Sequence, residues 1–156
     1  MMRIFSITID GKFGEKYKEC WNKVLKKYPR ANILNFPSNG MSVNDASDFW
    51  RIDTIANKWI DDSVLYIDLD CIPGASLFQG LDNPGAACCV GGSLDCWALY
   101  RPQGKDSFFK DILGKFQKTN NWLSQFIANN HAYDMDRIEG YPDSKYFSHL
   151  YLSRSA

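Results

Sequence analysis

The sequence has no excess of either charge, no long apolar run and no repeated or low-complexity segment. Its 156 residues include 18 basic and 18 acidic side chains, so the formal net charge is zero. A balanced charge gives no electrostatic footprint for nucleic acid or for an anionic membrane surface. No apolar run approaches the roughly 20 residues that a membrane-spanning helix needs. The length fits a single domain, residues 1–156, with one core.

Cysteine is present but lacks the spacing that metal sites require. The five cysteines include no CxxC pair, and no Cys/His cluster that would bind zinc accompanies them. They are odd in number and lie in or beside apolar segments, which favours reduced, buried thiols. The apolar start of the chain is too short for a signal peptide and has no small-residue cleavage site. We therefore expect a cytoplasmic protein with no transmembrane segment and no nucleic-acid partner.

Hydrophobic periodicity predicts alternating strands and helices in the first half of the chain. Three short runs are apolar or alternating, whereas the segments between them carry apolar residues at three- and four-residue spacings. The predicted elements are strand 3–10, helix 15–28, strand 31–36, a helix after Ser42, and strand 64–67. This β-α-β-α-β order predicts an α/β fold with a mostly parallel central sheet flanked by helices.

Each of the two early helices has one apolar face suited to packing on a sheet. In the first helix this face comprises Tyr17, Cys20, Trp21, Val24, Leu25 and Tyr28. In the second helix it comprises Phe49, Ile52, Ile55, Ala56, Trp59 and Ile60. Ser42, followed three residues later by Asp45, resembles a capping box at the start of the second helix.

The second half of the chain is less regular. Segments 86–90 and 94–102 have strand character, and the absence of a helix between them favours strands that run antiparallel to the others. Helices are predicted over 105–118 and 121–130. Gly114 weakens the first of these by about 1 kcal/mol relative to Ala.

The chain is organised around residues 45–73, where two carboxylates follow a buried strand. The apolar run 64–67 stops at Asp68-Leu69-Asp70. In open α/β sheets, ligands bind in the crevice at the carboxyl ends of the strands. Asp48 and Arg51 are three residues apart on the preceding helix, so they can reach each other or a common ligand. We therefore expect the chemistry of this protein at this edge of the sheet.

These two motifs, in this order, resemble the sugar-binding region of DxD-containing nucleotide-sugar glycosyltransferases with the GT-A fold. They are Ser47-Asp48-Phe49-Trp50-Arg51 on a helix and Leu65-Tyr66-Ile67-Asp68-Leu69-Asp70 on a strand. Initiating mannosyltransferases, capsular polysaccharide glycosyltransferases and clostridial glucosylating toxins share the pattern Ser-Asp-x-x-Arg and then Tyr-[Leu/Ile]-Asp-x-Asp. Weaker likenesses at residues 21–29, 99–109 and 148–151 extend the resemblance along the chain.

The resemblance implies a shortened GT-A-like, Rossmann-like domain and a hexosyltransferase with a metal-bound nucleotide-sugar donor. Asp48 and Arg51 would hydrogen-bond the donor sugar hydroxyls. Asp70 would bind Mn²⁺ or Mg²⁺ directly, Asp68 would contact the ribose or a metal-bound water, and His149 would add an imidazole ligand. A hard divalent cation of this kind stabilises the departing diphosphate as a Lewis acid.

The sequence gives less information about the nucleoside contacts, the stereochemistry, the catalytic base and the acceptor. Thr8 and Asp10, at the end of the first strand, are candidates for base or ribose contacts. The family implies retention of the anomeric configuration, but no pattern identifies a catalytic base, for which Asp95, Asp134 and Asp136 are candidates. The acceptor is a glycan, a lipid-linked glycan or a protein.

The sequence departs from the family pattern in several places. The interval between Arg51 and Asp68 is about one helical turn longer than usual. Asp61-Asp62-Ser63 stands where the family has Gly-Gly, and the Trp that commonly follows the terminal histidine is missing. The chain is also shorter than most members. The resemblance therefore supports the donor site better than the acceptor site.

Two other functions fit parts of the sequence. A strand followed by Asp-x-Asp also occurs in haloacid-dehalogenase-like magnesium-dependent phosphatases, where the first Asp attacks phosphorus and the second acts as acid and base. Here these would be Asp68 and Asp70, although Cys71-Ile72 replaces the usual Gly and then Thr or Val. The short chain also fits a non-catalytic, shortened GT-A-like domain that binds a nucleotide sugar, or nothing, and serves as an interaction module. For Asp48 and Arg51 the alternative to sugar binding is an ordinary helix ion pair.

Overall fold

Strands and helices alternate through the first half of the chain, as the periodicity predicts. A computed structural model describes residues 2–70, 85–88, 96–118 and 122–123. Its elements, in chain order, are β1 (Met2–Ile9), α1 (Glu15–Lys27), β2 (Asn32–Phe36), α2 (Val43–Asn57), β3 (Ser63–Ile67), β4 (Gly85–Cys88), β5 (Cys96–Arg101) and α3 (Asp106–Gly114). The five predicted strands are therefore confirmed. For β1, β2 and β3, whose predicted bounds lie among the described residues, the observed ends differ from those bounds by at most one residue.

The strands form a five-stranded sheet in the order β2-β1-β3-β5-β4. β1 pairs in parallel with both β2 and β3, and Phe5 of β1 lies opposite Tyr66 of β3. β5 is antiparallel to β3, and β4 is antiparallel to β5. The expected antiparallel direction is thus confirmed for β5 and wrong for β4, which runs in the same direction as β1 because it pairs with β5 and not with the parallel strands. The predicted mostly parallel sheet is confirmed.

Helices cover both faces of the sheet. Successive strand residues point to opposite faces, so each buried strand contributes side chains to two separate apolar clusters. One cluster joins the sheet to α2 and α3, and its members include Phe5, Ile7, Val64, Tyr66, Leu99, Ile52, Ile55, Phe109 and Ile112. The other joins the sheet to α1, and its members include Ile4, Leu65, Ile67, Ala98, Tyr100, Trp21 and Val24. None of the helices in the described part of the chain has both the length and the apolar character to cross a membrane.

The amino-terminal end of α2 is capped as predicted. Ser42 is the N-cap residue, and its hydroxyl accepts a hydrogen bond of 3.1 Å from the Asp45 amide. Such a cap satisfies one of the four amides that have no partner within a helix, and it contributes about 1 kcal/mol.

The other end of α2 is held by Arg101, a residue for which the sequence predicted no role. Arg101 is 0% exposed, and its guanidinium donates to backbone carbonyls at the end of α2 and in the segment that leads to β3. Nη1 donates to Ile55 at 2.7 Å and to Lys58 at 2.9 Å, while Nη2 donates to Trp59 and, at 3.1 Å, to Asp62. Burial lowers the pKa of Arg101, against the opposing effect of nearby carboxylates.

Three details of the prediction were wrong. α3 ends at Gly114 instead of 118, consistent with the low helix propensity of glycine. Tyr17 and Ile60, assigned to buried helix faces, are 39% and 53% exposed. Ile60 lies beyond the end of α2, because that helix stops at Asn57. Of the predicted helix 121–130, only positions 122 and 123 belong to the described residues, and both are helical.

Candidate functional site

A pocket of about 330 Å³ lies at the carboxyl ends of β1 and β3. The chain passes from β1 to β2 on one side and returns through α2 to β3 on the other, so this edge is the point where the strand order reverses. The lining residues come from β1, β3, α1, α2 and the turns that follow the strands: Ile7, Thr8, Ile9, Lys12, Tyr17, Val43, Asn44, Ser47, Arg51, Tyr66, Asp68, Leu69 and Asp70. The pocket lies at the edge of the sheet where the sequence predicts the site.

Arg51 is held at the pocket by α2 and by the end of β3. Its Nε donates to the Ser47 carbonyl at 3.2 Å, and its Nη2 donates to the Ser47 hydroxyl at 2.9 Å. Nη2 lies 3.4 Å from Asp48 Oδ1, and Nη1 lies 3.9 Å from Asp68 Oδ1. Cζ lies 5.0 Å from the centre of the Tyr66 ring, within the range of a cation–π contact. The guanidinium therefore connects both predicted motifs.

Asp68 receives a short hydrogen bond from its own strand. The Tyr66 hydroxyl donates to Asp68 Oδ1 at 2.6 Å. The side chains of Arg51 and Asp68 are only 12% and 19% exposed, so water screens their attraction less than at an open surface.

Asp48 supports Arg51 from outside the pocket lining. It is buried, with one carboxylate oxygen 3.4 Å from Arg51 Nη2 and the other accepting from the Leu123 amide at 3.4 Å. The predicted contact between Asp48 and Arg51 is present. The contact with Leu123 also joins α2 to the helical residues at 122–123.

Asp70 lines the pocket and is itself buried, at 8% exposure. Its charge acts on Cys20 of α1, on the opposite face of the sheet from α2. Burial raises the pKa of the Cys20 thiol to about 11, and the negative charge of Asp70 adds to this shift. Cys20 is therefore a protonated, buried thiol, as expected from the cysteine pattern.

The two residues predicted at the end of β1 differ in their position. Thr8 lines the pocket, and its hydroxyl donates to Asn35 Oδ1 at 2.9 Å. The same Asn35 oxygen accepts from the Gly11 amide at 2.8 Å, which ties the turn after β1 to β2. Asp10 does not line the pocket, and its carboxylate accepts from the Ser38 amide at 3.0 Å. This hydrogen bond lowers the pKa of Asp10.

Only part of the predicted metal site can be compared with the structure. Asp68 and Asp70 both line the pocket, whereas His149 and the candidate bases Asp95, Asp134 and Asp136 lie outside the described residues. Over the ranges that the structure describes, no group of three His, Cys, Asp or Glu side chains gathers to hold a metal. Two carboxylates fit a Mg²⁺-type cation, which binds through one or two carboxylates and keeps positions for water and phosphate.

Several residues that line the pocket have no site role predicted from the sequence, notably Tyr66, Lys12 and Tyr17. Tyr66 belongs to the predicted buried strand and to the second family motif, neither of which specifies what its side chain contacts. Its position two residues before Asp68 was a usable signal, because residues i and i+2 of a strand share a face. Tyr17 was assigned to the core, and no local pattern distinguishes a core tyrosine from one at the rim of a pocket.

Comparison with known proteins supports the fold. Neither the family models nor the curated proteins gave a match to this sequence. The fold is similar to a solved crystal structure of a glycosyltransferase involved in glycosylation of the major capsid of PBCV-1. That match has a TM-score of 0.55 and 14% sequence identity, and it covers 89% of this chain and 78% of the other. At this identity the likeness shows the fold, and a glycosyltransferase-like α/β fold is thereby confirmed.

Proposed function

We propose that this protein is a glycosyltransferase that takes its sugar from a metal-bound nucleotide-sugar donor. The observation that carries the proposal is the convergence of Asp68, Asp70 and Arg51 at one pocket, at the strand-order reversal of a glycosyltransferase-like sheet. A pocket with two carboxylates and one guanidinium suits a ligand that brings its own cation and has hydroxyl and phosphate oxygens.

Mn²⁺ or Mg²⁺ is the proposed cofactor, held by Asp70 and Asp68, with His149 as a further ligand. A divalent cation in this position neutralises the negative charge that develops on a departing diphosphate. Asp68 is already oriented by Tyr66, so it is the better placed of the two carboxylates for a fixed contact with a ribose or a bound water.

The donor sugar is proposed to bind against Arg51, whose guanidinium has several donors and is held by Ser47 and Asp48. Asp48 orients Arg51 from outside the pocket lining. Thr8 is proposed to contact the nucleoside, on a turn that Asn35 and Asp10 shape. Transfer with retention to a glycan, lipid-linked or protein acceptor follows from the family resemblance.

The test is calorimetric titration with nucleoside diphosphates and nucleotide sugars, with and without MnCl₂. We expect manganese-dependent binding of at least one nucleotide to the wild-type protein. Asp70→Asn preserves side-chain size but removes the charge. Because cation stabilisation is worth several kcal/mol, we expect it to weaken that binding about 100-fold or more.

Asp111→Asn, on the exposed surface of α3, is the matched control and should bind as the wild type does. Circular dichroism and a melting curve establish that both variants fold. Unchanged affinity in a folded Asp70→Asn protein would contradict the metal assignment.

A phosphatase would use the same two carboxylates, with Asp68 as the nucleophile. Turnover of an aryl phosphate with magnesium would favour it over the glycosyltransferase. If the wild-type protein neither binds nucleotides nor turns over an aryl phosphate, a non-catalytic domain is the remaining interpretation. The likeness of the fold to a glycosyltransferase structure supports the glycosyltransferase proposal over the phosphatase.

A further inference from the structure

We infer that Tyr66 is a positioning residue, whose hydroxyl orients Asp68 and whose ring supports Arg51, so that one side chain fixes two charged groups at the pocket. The inference rests on the proposed function for the ligand that these groups bind. It goes beyond that proposal by giving the strand residue before the carboxylates a task of its own.

The first support is the hydrogen bond between Tyr66 and Asp68. The hydroxyl donates to Oδ1 over 2.6 Å, a distance typical of a hydroxyl bound to an ionised carboxylate. Arg51 Nη1 approaches the same oxygen at 3.9 Å. Both interactions thus act on Oδ1 and restrict rotation of the carboxylate.

The second support is the position of the guanidinium over the Tyr66 ring. The separation of 5.0 Å between Arg51 Cζ and the ring centre gives an attraction that is independent of the hydroxyl. Ser47 fixes the same guanidinium from α2. Arg51 therefore lies between a helix and an aromatic face, which limits the conformations that it would lose on binding a ligand.

The third support is the rigidity of Tyr66 itself. The residue is 3% exposed and belongs to the core between the sheet and α2. Its ring meets the Phe5 ring edge-on at 5.4 Å, and Phe5 lies opposite it in the pairing of β1 with β3. A side chain fixed by packing in this way positions its hydrogen-bond partner more accurately than a mobile surface residue does.

The test is a double-mutant cycle with Tyr66→Phe, Asp68→Asn and the combined variant. Tyr66→Phe removes the hydroxyl but keeps the ring, so the packing against Phe5 and Arg51 is preserved. Tyr100→Phe is the matched control, because Tyr100 is also a buried strand tyrosine but lies on the α1 side of the sheet. Titration with UDP and GDP in the presence of MnCl₂ measures binding, and urea unfolding without ligand measures coupling in the free protein.

We expect Tyr66→Phe to weaken manganese-dependent nucleotide binding about tenfold, as is usual when a group that orients a metal-site carboxylate is lost. In the Asp68→Asn background the same change should alter binding less than about twofold, because the oriented carboxylate is already missing. Equal affinity of Tyr66→Phe and Tyr100→Phe would overturn the inference. So would an undiminished loss in the Asp68→Asn background, which would mean that the hydroxyl contacts the ligand directly.

The unfolding experiment separates this inference from the proposed function. If the wild-type protein binds neither nucleotide, the proposed donor site fails, but the coupling between Tyr66 and Asp68 is still measured without ligand. A significant coupling free energy between Tyr66 and Asp68 would support the orienting role of the hydroxyl even then. Strictly additive effects of the two substitutions on the free energy of unfolding would overturn it.

Discussion

Two arginines hold the two ends of the same region in different ways. Arg101, the last residue of β5, lies opposite Val64 near the start of β3; it is completely buried and donates to backbone carbonyls at and just beyond the end of α2. Arg51, near the end of β3, is slightly exposed and contacts the side chains of Ser47, Asp48, Asp68 and Tyr66. One arginine fastens the helix to the sheet, and the other faces a pocket.

The chemistry of the partners explains the difference. The carbonyls around Arg101 belong to the backbone and accept from both terminal nitrogens of the guanidinium, so much of its cost of burial is offset by several charge-assisted hydrogen bonds. The partners of Arg51 are side chains at a pocket wall. A buried arginine surrounded by carbonyls thus indicates a structural role, whereas one beside carboxylates and an aromatic ring at a pocket indicates binding.

The largest effect is expected from Arg101→Met, which should act on stability. The substitution keeps an apolar side chain of comparable length but leaves buried carbonyls without their donor, at a cost of about 3 kcal/mol or more. Urea unfolding measures this loss. The exposed Arg30→Met is the control and should change the free energy of unfolding by less than about 0.5 kcal/mol. Equal stability of the two variants would contradict the structural role of Arg101.

The next effect is expected from Arg51→Lys, which should act on binding. Lysine keeps the charge but lacks the planar fork that reaches Ser47, Asp48 and Asp68 together. We expect manganese-dependent nucleotide-sugar binding to weaken about tenfold, while the free energy of unfolding changes by no more than about 1 kcal/mol.

Arg3→Lys is the control for this prediction, because Arg3 pairs with Asp62 at 3.0 Å outside the pocket lining. It should bind the nucleotide sugar as the wild type does. A loss of stability in Arg51→Lys without a loss of affinity would make Arg51 a second structural arginine.

The smallest effect concerns Asp10, beside the pocket but outside its lining. The Ser38 amide lowers the pKa of this carboxyl from the ordinary value of 3.8. Because the folded pKa is below the unfolded one, the stabilisation is present above the unfolded value and is lost as the pH falls through the folded pKa. Asp10→Asn tolerates the left-handed backbone at this position, where φ is 53°.

The stability difference between Asp10→Asn and the wild-type protein should therefore narrow as unfolding is measured from pH 7 down to pH 3, since the stabilisation from this carboxylate begins to be lost once the pH falls to the unfolded pKa. A difference that is constant over this range would contradict the assignment. A change in nucleotide affinity at neutral pH would place Asp10 with Arg51 among the binding residues.

The features that the sequence predicted correctly depend on residues close together along the chain. The α2 face of Ile52, Ile55 and Ala56 is fully buried, and Ser42 caps the helix, because periodicity and capping act within a few residues. The position of Asp68 and Asp70 at the pocket followed from the point where the strand ends.

Other features depend on distant parts of the backbone. Arg101 reaches carbonyls 39 to 46 positions earlier, and backbone carbonyls have no residue type that a pattern could reveal. The link from Asn35 to Thr8 requires the pairing of β1 with β2. Such contacts appear only when the strands are in place.

Because β3 pairs with β1 in one register, alternate residues of β3 face opposite sides of the sheet. Val64 and Tyr66 face α2, whereas Leu65 and Ile67 face α1. Inserting or deleting one residue in the middle of β3 would exchange these two sets, and Tyr66 would turn away from Arg51. Side chains of β3 can therefore be replaced by others of similar size and polarity. A change in the length of β3, in contrast, preserves the two faces only if it adds or removes an even number of residues.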